Sequence, residues 1–126
     1  MVGFNFQNKF LELSCHLKHF KTVTFHTMSI LSWNCQGLGN QWAVDVLSHL
    51  EREKAPKILF LMETKQSVDE MRRLQADLPY CCMFLVPSIR RSGGRALLWK
   101  EEVDLHVQTY SSNHIDALIY TDGNPT

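Results

Sequence analysis

Two short apolar runs, each ending in a polar residue, dominate the hydrophobic pattern of the chain. Residues 30–33 lead into Asn34 and a glycine-broken loop, and residues 58–62 lead into Glu63. Both runs are too short for helices and are bounded by turn residues, so they predict strands. A stretch with helical spacing, residues 42–54, lies between them, and a strand–helix–strand unit normally makes two parallel strands. We therefore expect Asn34 and Glu63 to face one crevice at the rim of a sheet.

The rest of the chain predicts further strands and one more helix. Asn40 is placed to cap the first helix, and the run Ser67-Val68-Asp69-Glu70 is a capping box that begins the second, which we expect to end by Pro79. The segments that predict the remaining strands are 82–86, 96–99, 105–110 and 115–119, the last two forming an antiparallel hairpin. The pattern as a whole predicts an α/β fold, a mixed sheet with flanking helices.

Residues 1–27 do not share this pattern. They carry three lysines against one acid, Glu12, and contain no arginine and no uninterrupted apolar run of the kind found in secretory signals. We expect them to be a weakly ordered extension, and residues 28–126 to be the domain. Cys15, His16 and His19 lie in this extension and resemble a metal-binding cluster. A structural zinc site needs four well-placed ligands, so we interpret these three as unrelated residues of the extension.

The composition limits the function classes. The 126 residues are 44% hydrophobic and 21% charged with zero net charge, which indicates one soluble globular domain and excludes a uniformly basic nucleic-acid binder. No apolar run approaches the roughly 20 residues of a membrane span. The four cysteines show no disulfide spacing, so we expect reduced thiols in the nucleus or cytoplasm. Cys81 and Cys82 adjoin on a predicted strand, so we expect them on opposite faces.

A second polar loop offers candidate phosphate contacts. Arg90, Arg91, Ser92 and Arg95 surround a pair of glycines, and guanidinium groups match phosphate oxygens. A hairpin turn with solubilising arginines is an equally good interpretation. A second candidate pair, His114 and Asp116, shares one face of a predicted strand but begins a hairpin, and we interpret it as structural.

Four blocks of the sequence, together with Asn34 and Glu63, carry a resemblance to a known family. The blocks read ILSWNCQGLGN, ILFLMETK, RSGGRALLWKEEV and SSNHIDALI. They resemble the endonuclease/exonuclease/phosphatase superfamily, which includes DNase-I-like and AP-endonuclease-like enzymes. The match is closest to the N-terminal endonuclease domain of plant LINE-type non-LTR retrotransposons, over residues 28 to about 124. The resemblance implies the N-terminal half of a four-layer α/β sandwich of the DNase-I-like fold.

The resemblance also implies an activity and its residues. The family hydrolyses phosphodiester bonds, here of DNA, with Mg²⁺; Glu63 would be the metal ligand and Asn34 the orienting amide, both catalytic. The family's later Tyr-bearing, Gly-Asp-Phe-Asn and Ser-Asp-His blocks are absent from these residues. We therefore expect a truncated endonuclease fragment, inactive alone. The alternatives are a non-catalytic nucleic-acid-binding or protein-interaction module, or a phosphatase within the superfamily.

Half of a sandwich implies two further expectations. The inner face of the sheet would lack its partner, so strands 58–62, 84–86 and 96–99 would be exposed and the isolated chain would be marginally stable or would self-associate. The position of Arg95 is usually apolar in the family, so either the start of its strand is exposed or the residue has drifted.

Overall fold

The computed structural model describes residues 2–7, 20–25, 28–90, 92–112 and 114–120. These residues form eight strands and two helices. The strands are β1 (Val2–Gln7), β2 (Phe20–Phe25), β3 (Met28–Asn34), β4 (Ile58–Met62), β5 (Cys82–Val86), β6 (Arg95–Trp99), β7 (Asp104–Tyr110) and β8 (His114–Tyr120). The helices are α1 (Gln41–Lys54) and α2 (Val68–Gln75).

The strands form two sheets. Five strands lie in the order β2-β3-β4-β6-β5, and three lie in the order β1-β8-β7. The predicted parallel pairing of β3 with β4 is confirmed, and Asn34 lies beside Met62 in its register. The remaining pairs are antiparallel, including the predicted β7–β8 hairpin. The mixed α/β architecture is the one that the sequence predicts.

The helix boundaries follow from local chemistry. The Asn40 side chain accepts a 2.8 Å hydrogen bond from the backbone N–H of Ala43, which satisfies one of the free donors at the start of α1. At the other end Ala55 adopts a left-handed conformation (φ 44°). The reciprocal capping box predicted between Ser67 and Glu70 is present at the start of α2.

Two apolar clusters lie on opposite faces of the five-stranded sheet. All five residues of β4 are buried. Its alternate side chains are divided between the clusters because successive strand residues point to opposite faces. The first cluster joins the sheet to α1 and α2, through residues such as Leu47 and Met71. The second joins it to the three-stranded sheet, through residues such as Phe60 and Ile115. The molecule is therefore layered as helices, sheet and sheet.

The expectation of an uncovered inner face is wrong. Apolar residues of β7 and β8 pack onto that face, so β4 and residues 96–98 are fully buried, and Phe84 and Val86 of the edge strand are half-buried. Covering this surface removes apolar area from water, which is the main favourable contribution to folding. The surface on which we based self-association is thus internal; self-association itself remains a prediction.

Two strands lie in the part of the chain that the sequence pattern left without elements. β1 pairs with β8 and β2 pairs with β3, both antiparallel. Each strand extends one of the two sheets at its edge. The domain boundary at residue 28 remains a prediction, and Cys15, His16 and His19 lie outside the described residues.

Neither described helix has the length and apolar character needed to cross a membrane.

Candidate functional site

The structure brings Asn34 and Glu63 into direct contact at one edge of the five-stranded sheet. Asn34 ends β3, Glu63 follows β4, and the Asn34 amide Nδ2 donates to Glu63 Oε2 over 2.6 Å. The two residues are 29 positions apart in the sequence and both are half-buried. The predicted shared crevice is therefore a hydrogen-bonded pair.

The orientation of the Asn34 amide is fixed from both sides. Its Oδ1 accepts a 3.2 Å hydrogen bond from the backbone N–H of Gln36, while its NH₂ group faces the carboxylate. An amide flipped by 180° would face each partner with the wrong polarity. Asn34 thus holds one oxygen of Glu63 in a defined position.

Three loops, which we name the site loops, support this pair: residues 35–40, 63–67 and 87–94. The first two are joined by backbone hydrogen bonds from Gly37 N–H to Glu63 O (2.8 Å) and from Leu38 N–H to Thr64 O (2.9 Å). The second and third are joined by Thr64 N–H to Gly94 O (3.1 Å) and Lys65 N–H to Gly93 O (2.8 Å). Glu63 therefore lies in the central loop of a cross-linked set.

Backbone strain is concentrated in these loops. Among the described residues, five that are not glycine have positive φ, and four of them are in the site loops: Gln36 (51°), Glu63 (53°), Lys65 (56°) and Arg90 (52°). Each such conformation costs of order 1–3 kcal/mol and persists only where the surroundings impose it. The interloop hydrogen bonds provide that constraint for Glu63 and Lys65.

Gly94 allows a close approach between two site loops. It has φ +87°, and a Cβ placed there would lie 2.6 Å from Thr64 Oγ1 and 3.1 Å from the backbone nitrogen of Ser88. Neither neighbour is the free end of a long side chain, so the loops would have to separate. Of the glycine pair noted in the sequence, Gly94 is thus the one that lets the second and third site loops lie close together.

The oxygen atoms at the site fit a hard divalent cation such as Mg²⁺. Glu63 accepts from Asn34 through Oε2, which leaves Oε1 as an oxygen donor in a half-buried position. Mg²⁺ is bound in proteins through one or two carboxylates and keeps several waters. Across the described ranges no cluster of three or more His, Cys, Asp and Glu residues could hold a metal ion. Glu63 fits a water-rich, single-carboxylate site.

Sequence reasoning missed two residues beside the pair. Lys65 is half-buried, and its Cδ lies 3.5 Å from the position that a Cβ on Gly37 would occupy, which places a cation in the central site loop. Cys35 is buried, and its thiol donates to Met62 O over 3.1 Å. Burial raises the pKa of Cys35 to about 12, so it is a structural thiol. The available signal was proximity in the sequence, since Cys35 directly follows Asn34 and Lys65 lies two positions after Glu63.

Three of the four candidate phosphate contacts lie in the part of the chain that the structure describes, and their environments differ. Arg90 and Ser92 are exposed in the third site loop, and Arg91 lies outside the described residues. Arg95 is only 2% exposed, and its Nη1 donates to Ser111 O over 3.4 Å. Burial lowers the pKa of its guanidinium. The suggestion that the start of this strand is exposed is therefore wrong: β4 and β5 pair with β6 on both sides.

The β7–β8 hairpin carries a second polar cluster. Ser111 Oγ lies 2.6 Å from His114 Nδ1, and His114 Nε2 lies 3.7 Å from Asp116 Oδ2. The hydroxyl of Thr109 donates to the same Asp116 oxygen over 2.7 Å. All four residues belong to one hairpin, as the sequence interpretation expects of a structural pair.

Comparison with known protein families gives a match to most of the chain. The model of the Endonuclease/Exonuclease/phosphatase family matches residues 31–126, which include Asn34, Glu63, all three site loops and the hairpin. Members of this family are generally metal-dependent. The mixed sheet with its two helices is consistent with a partial DNase-I-like α/β fold. No curated protein matches the chain.

Proposed function

The chain belongs to the endonuclease/exonuclease/phosphatase family, and from this premise we propose that Asn34 and Glu63 are the metal-holding part of a Mg²⁺-dependent DNA endonuclease centre. The observation that carries the proposal is the 2.6 Å hydrogen bond from Asn34 to Glu63. It joins the ends of two parallel strands, which is where open α/β sheets place their ligands.

Each residue has a chemical role in this proposal. Glu63 holds the cation through its second carboxylate oxygen, and Asn34 keeps that carboxylate in position. When bound, Mg²⁺ offsets negative charge on the phosphate and on the leaving oxygen. The αL backbone at Glu63, maintained by the site loops, fixes the direction in which the carboxylate leaves the strand end.

We propose DNA as the substrate, in keeping with an origin in plant LINE-type retrotransposons and a location in the nucleus or cytoplasm. Exposed apolar side chains are present near two of the site loops: Trp42 (68% exposed) follows the first loop and Ile89 (74% exposed) lies in the third. With Arg90 they offer stacking, apolar and phosphate contacts on either side of Glu63. Contacts of this kind, beyond the Asn34–Glu63 pair itself, are used by nucleic-acid polymers, so we favour a polymer over a phosphatase substrate.

We propose that the 126 residues alone do not turn over DNA. The resemblance assigns the phosphate-polarising His and the water-activating Asp to blocks that these residues do not contain. General base catalysis and charge stabilisation each contribute orders of magnitude to a rate. Arg90 and Ser92 could still hold nucleic acid, which keeps a non-catalytic binding module as the second candidate.

Nicking of supercoiled plasmid by the purified chain tests the proposal. The assay contains Mg²⁺, with EDTA and Glu63→Ala as controls, and DNA binding is followed in the same samples by mobility shift. We expect DNA binding that is stronger with Mg²⁺ than with EDTA, a loss of this difference in Glu63→Ala, and no nicking above the controls.

Two results would count against parts of the proposal. Nicking that requires both Mg²⁺ and Glu63 would overturn the inactivity and support the endonuclease chemistry. DNA binding that is indifferent to Mg²⁺ and to Glu63 would favour the binding module.

A further inference from the structure

Two neighbouring thiols lie in contact at the start of β5. The expectation that Cys81 and Cys82 point to opposite faces is wrong, because β5 begins at Cys82 and Cys81 precedes it in a bend. The alternation of strand side chains therefore does not extend to Cys81. The two Sγ atoms are 3.3 Å apart, and both cysteines are free thiols.

This pair is remote from Asn34 and Glu63. Cys82 lies beside Trp99, which lies beside Ile58, at one end of the sheet. Asn34 and Met62 lie at the other end, four residues further along β4. Whatever the thiols bind is therefore independent of the proposed endonuclease centre.

The pair is accessible from solvent. Cys81 is exposed and lines an open groove of about 390 Å³ between α2 and β5. Arg72 and Gln75 of α2 line the same groove. Burial, together with the neighbouring Cys81, raises the pKa of Cys82, so this thiol stays protonated at neutral pH.

We propose that Cys81 and Cys82 form a chelating dithiol site for a soft trivalent centre, the chemical class of the trivalent arsenicals. A direct disulfide fits the pair poorly: the S–S bond is about 2.05 Å, and adjacent Cα atoms about 3.8 Å apart are closer than the roughly 4.4–6.8 Å that disulfides prefer. A single atom bonded to both sulfurs spans the observed 3.3 Å gap with little movement. Sulfur ligands select soft centres of this kind.

The binding step balances without any redox change. With an aryl arsenic(III) oxide, two arsenic–sulfur bonds form and the arsenic–oxygen bond breaks. The oxide oxygen leaves as water with the two thiol protons. The oxidation states of arsenic and sulfur are unchanged, so no oxidant or reductant is needed.

Phenylarsine oxide added to the full chain tests the site, with intact mass spectrometry as the readout. We expect one adduct per chain, which excess 2-mercaptoethanol does not remove and 1,2-ethanedithiol does. The adduct is lost in Cys81→Ser and in Cys82→Ser. It persists in Cys15→Ser and in Cys35→Ala, the matched controls at the other two cysteines.

Circular dichroism shows whether each variant is folded. Because Cys81 is exposed, its replacement leaves the core intact. The proposal is overturned if the folded parent chain gives no dithiol-reversible adduct. It is also overturned if a folded Cys81→Ser chain keeps the adduct, or if Cys15→Ser loses it.

Discussion

The Asn34–Glu63 pair and the Ser111–His114–Asp116 cluster are both short polar networks, but they are assembled in different ways. The pair joins residues 29 positions apart, one at the end of β3 and one directly after β4. The cluster lies within a single hairpin, with all its members in residues 109–116. A hairpin brings such residues together by its own geometry.

The difference shows which of the two arrangements points to function. Ser, His and Asp in the hairpin have the residue types of a catalytic triad, yet their contacts follow from cross-strand and turn geometry alone. The contact between Asn34 and Glu63 joins two strands of a parallel crossover and lies among three cross-linked loops that hold four strained backbone positions. Strain that the fold maintains around one pair is the stronger indication of a site.

The largest effect on stability is expected from adding a side chain at Gly94. Gly94→Ala adds a methyl group 2.6 Å from Thr64 Oγ1 at φ +87°. We expect a loss on the order of 4 kcal/mol in the free energy of unfolding, from strain and overpacking together. Urea denaturation measures it.

Gly93→Ala is the matched control. Gly93 also has positive φ (+70°), but a Cβ there meets nothing within 4 Å. We expect a loss of only about 1 kcal/mol, the cost of the left-handed conformation. Equal losses in the two variants would show that the close approach of the site loops contributes nothing to stability.

The buried thiol of Cys35, beside the Asn34–Glu63 pair, should make the stability of the chain depend on pH. Burial raises the pKa of Cys35 to about 12 from an ordinary 9.0. As the pH rises, the unfolded chain therefore releases this proton before the folded chain does. The contribution of the neutral thiol to the free energy of unfolding is complete below pH 9 and is lost between pH 9 and pH 12. In that window, the free energy of unfolding of the parent chain should fall by about 1.4 kcal/mol per pH unit relative to that of Cys35→Ala. A difference that is constant from pH 8 to pH 11 would contradict a buried, neutral thiol.

Replacing the two arginines near the third site loop should affect different properties: DNA binding for Arg90 and stability for Arg95. Arg90 is exposed, whereas Arg95 is buried with its guanidinium on Ser111 O. In salt titrations of DNA binding, Arg90→Ala should reduce the slope of log K against log salt by about 1 if it contacts one phosphate. Arg95→Met should leave the slope unchanged and lower the stability instead. The opposite assignment would mean that Arg95 reaches the DNA.

The smallest effect is expected in the hairpin. His114→Ala removes contacts with Ser111 and Asp116 at a partly exposed position, and such contacts contribute about 1 kcal/mol or less. We expect no change in Mg²⁺-dependent DNA binding. A loss of that binding in a folded variant would give the cluster a functional role and remove the contrast with Asn34 and Glu63.

Local signals in the sequence predicted much of this structure. The β3–α1–β4 unit, the caps at Asn40 and Ser67 and the hairpin depend on short-range patterns, and they are confirmed. Parallel pairing alone was sufficient to bring Asn34 and Glu63 to one edge.

Features set by tertiary packing could not be read in this way. The burial of Arg95 depends on pairing with two strands, and the contact of Cys81 with Cys82 depends on where β5 begins. The strands β1 and β2 gain their partners from the sheets they join. The covered inner face depends on β7 and β8 packing across the sheet.

The most direct test of the account is an NMR titration of the Asn34 side-chain amide with Mg²⁺. The Asn34 NH₂ group donates to Glu63, so a cation held by that carboxylate should shift the amide resonances in a saturable manner. Glu63→Gln, which keeps the size of the side chain and removes the charge, should abolish the shift. Saturable shifts of equal size in both proteins, or none in the parent chain, would contradict a metal site at Glu63.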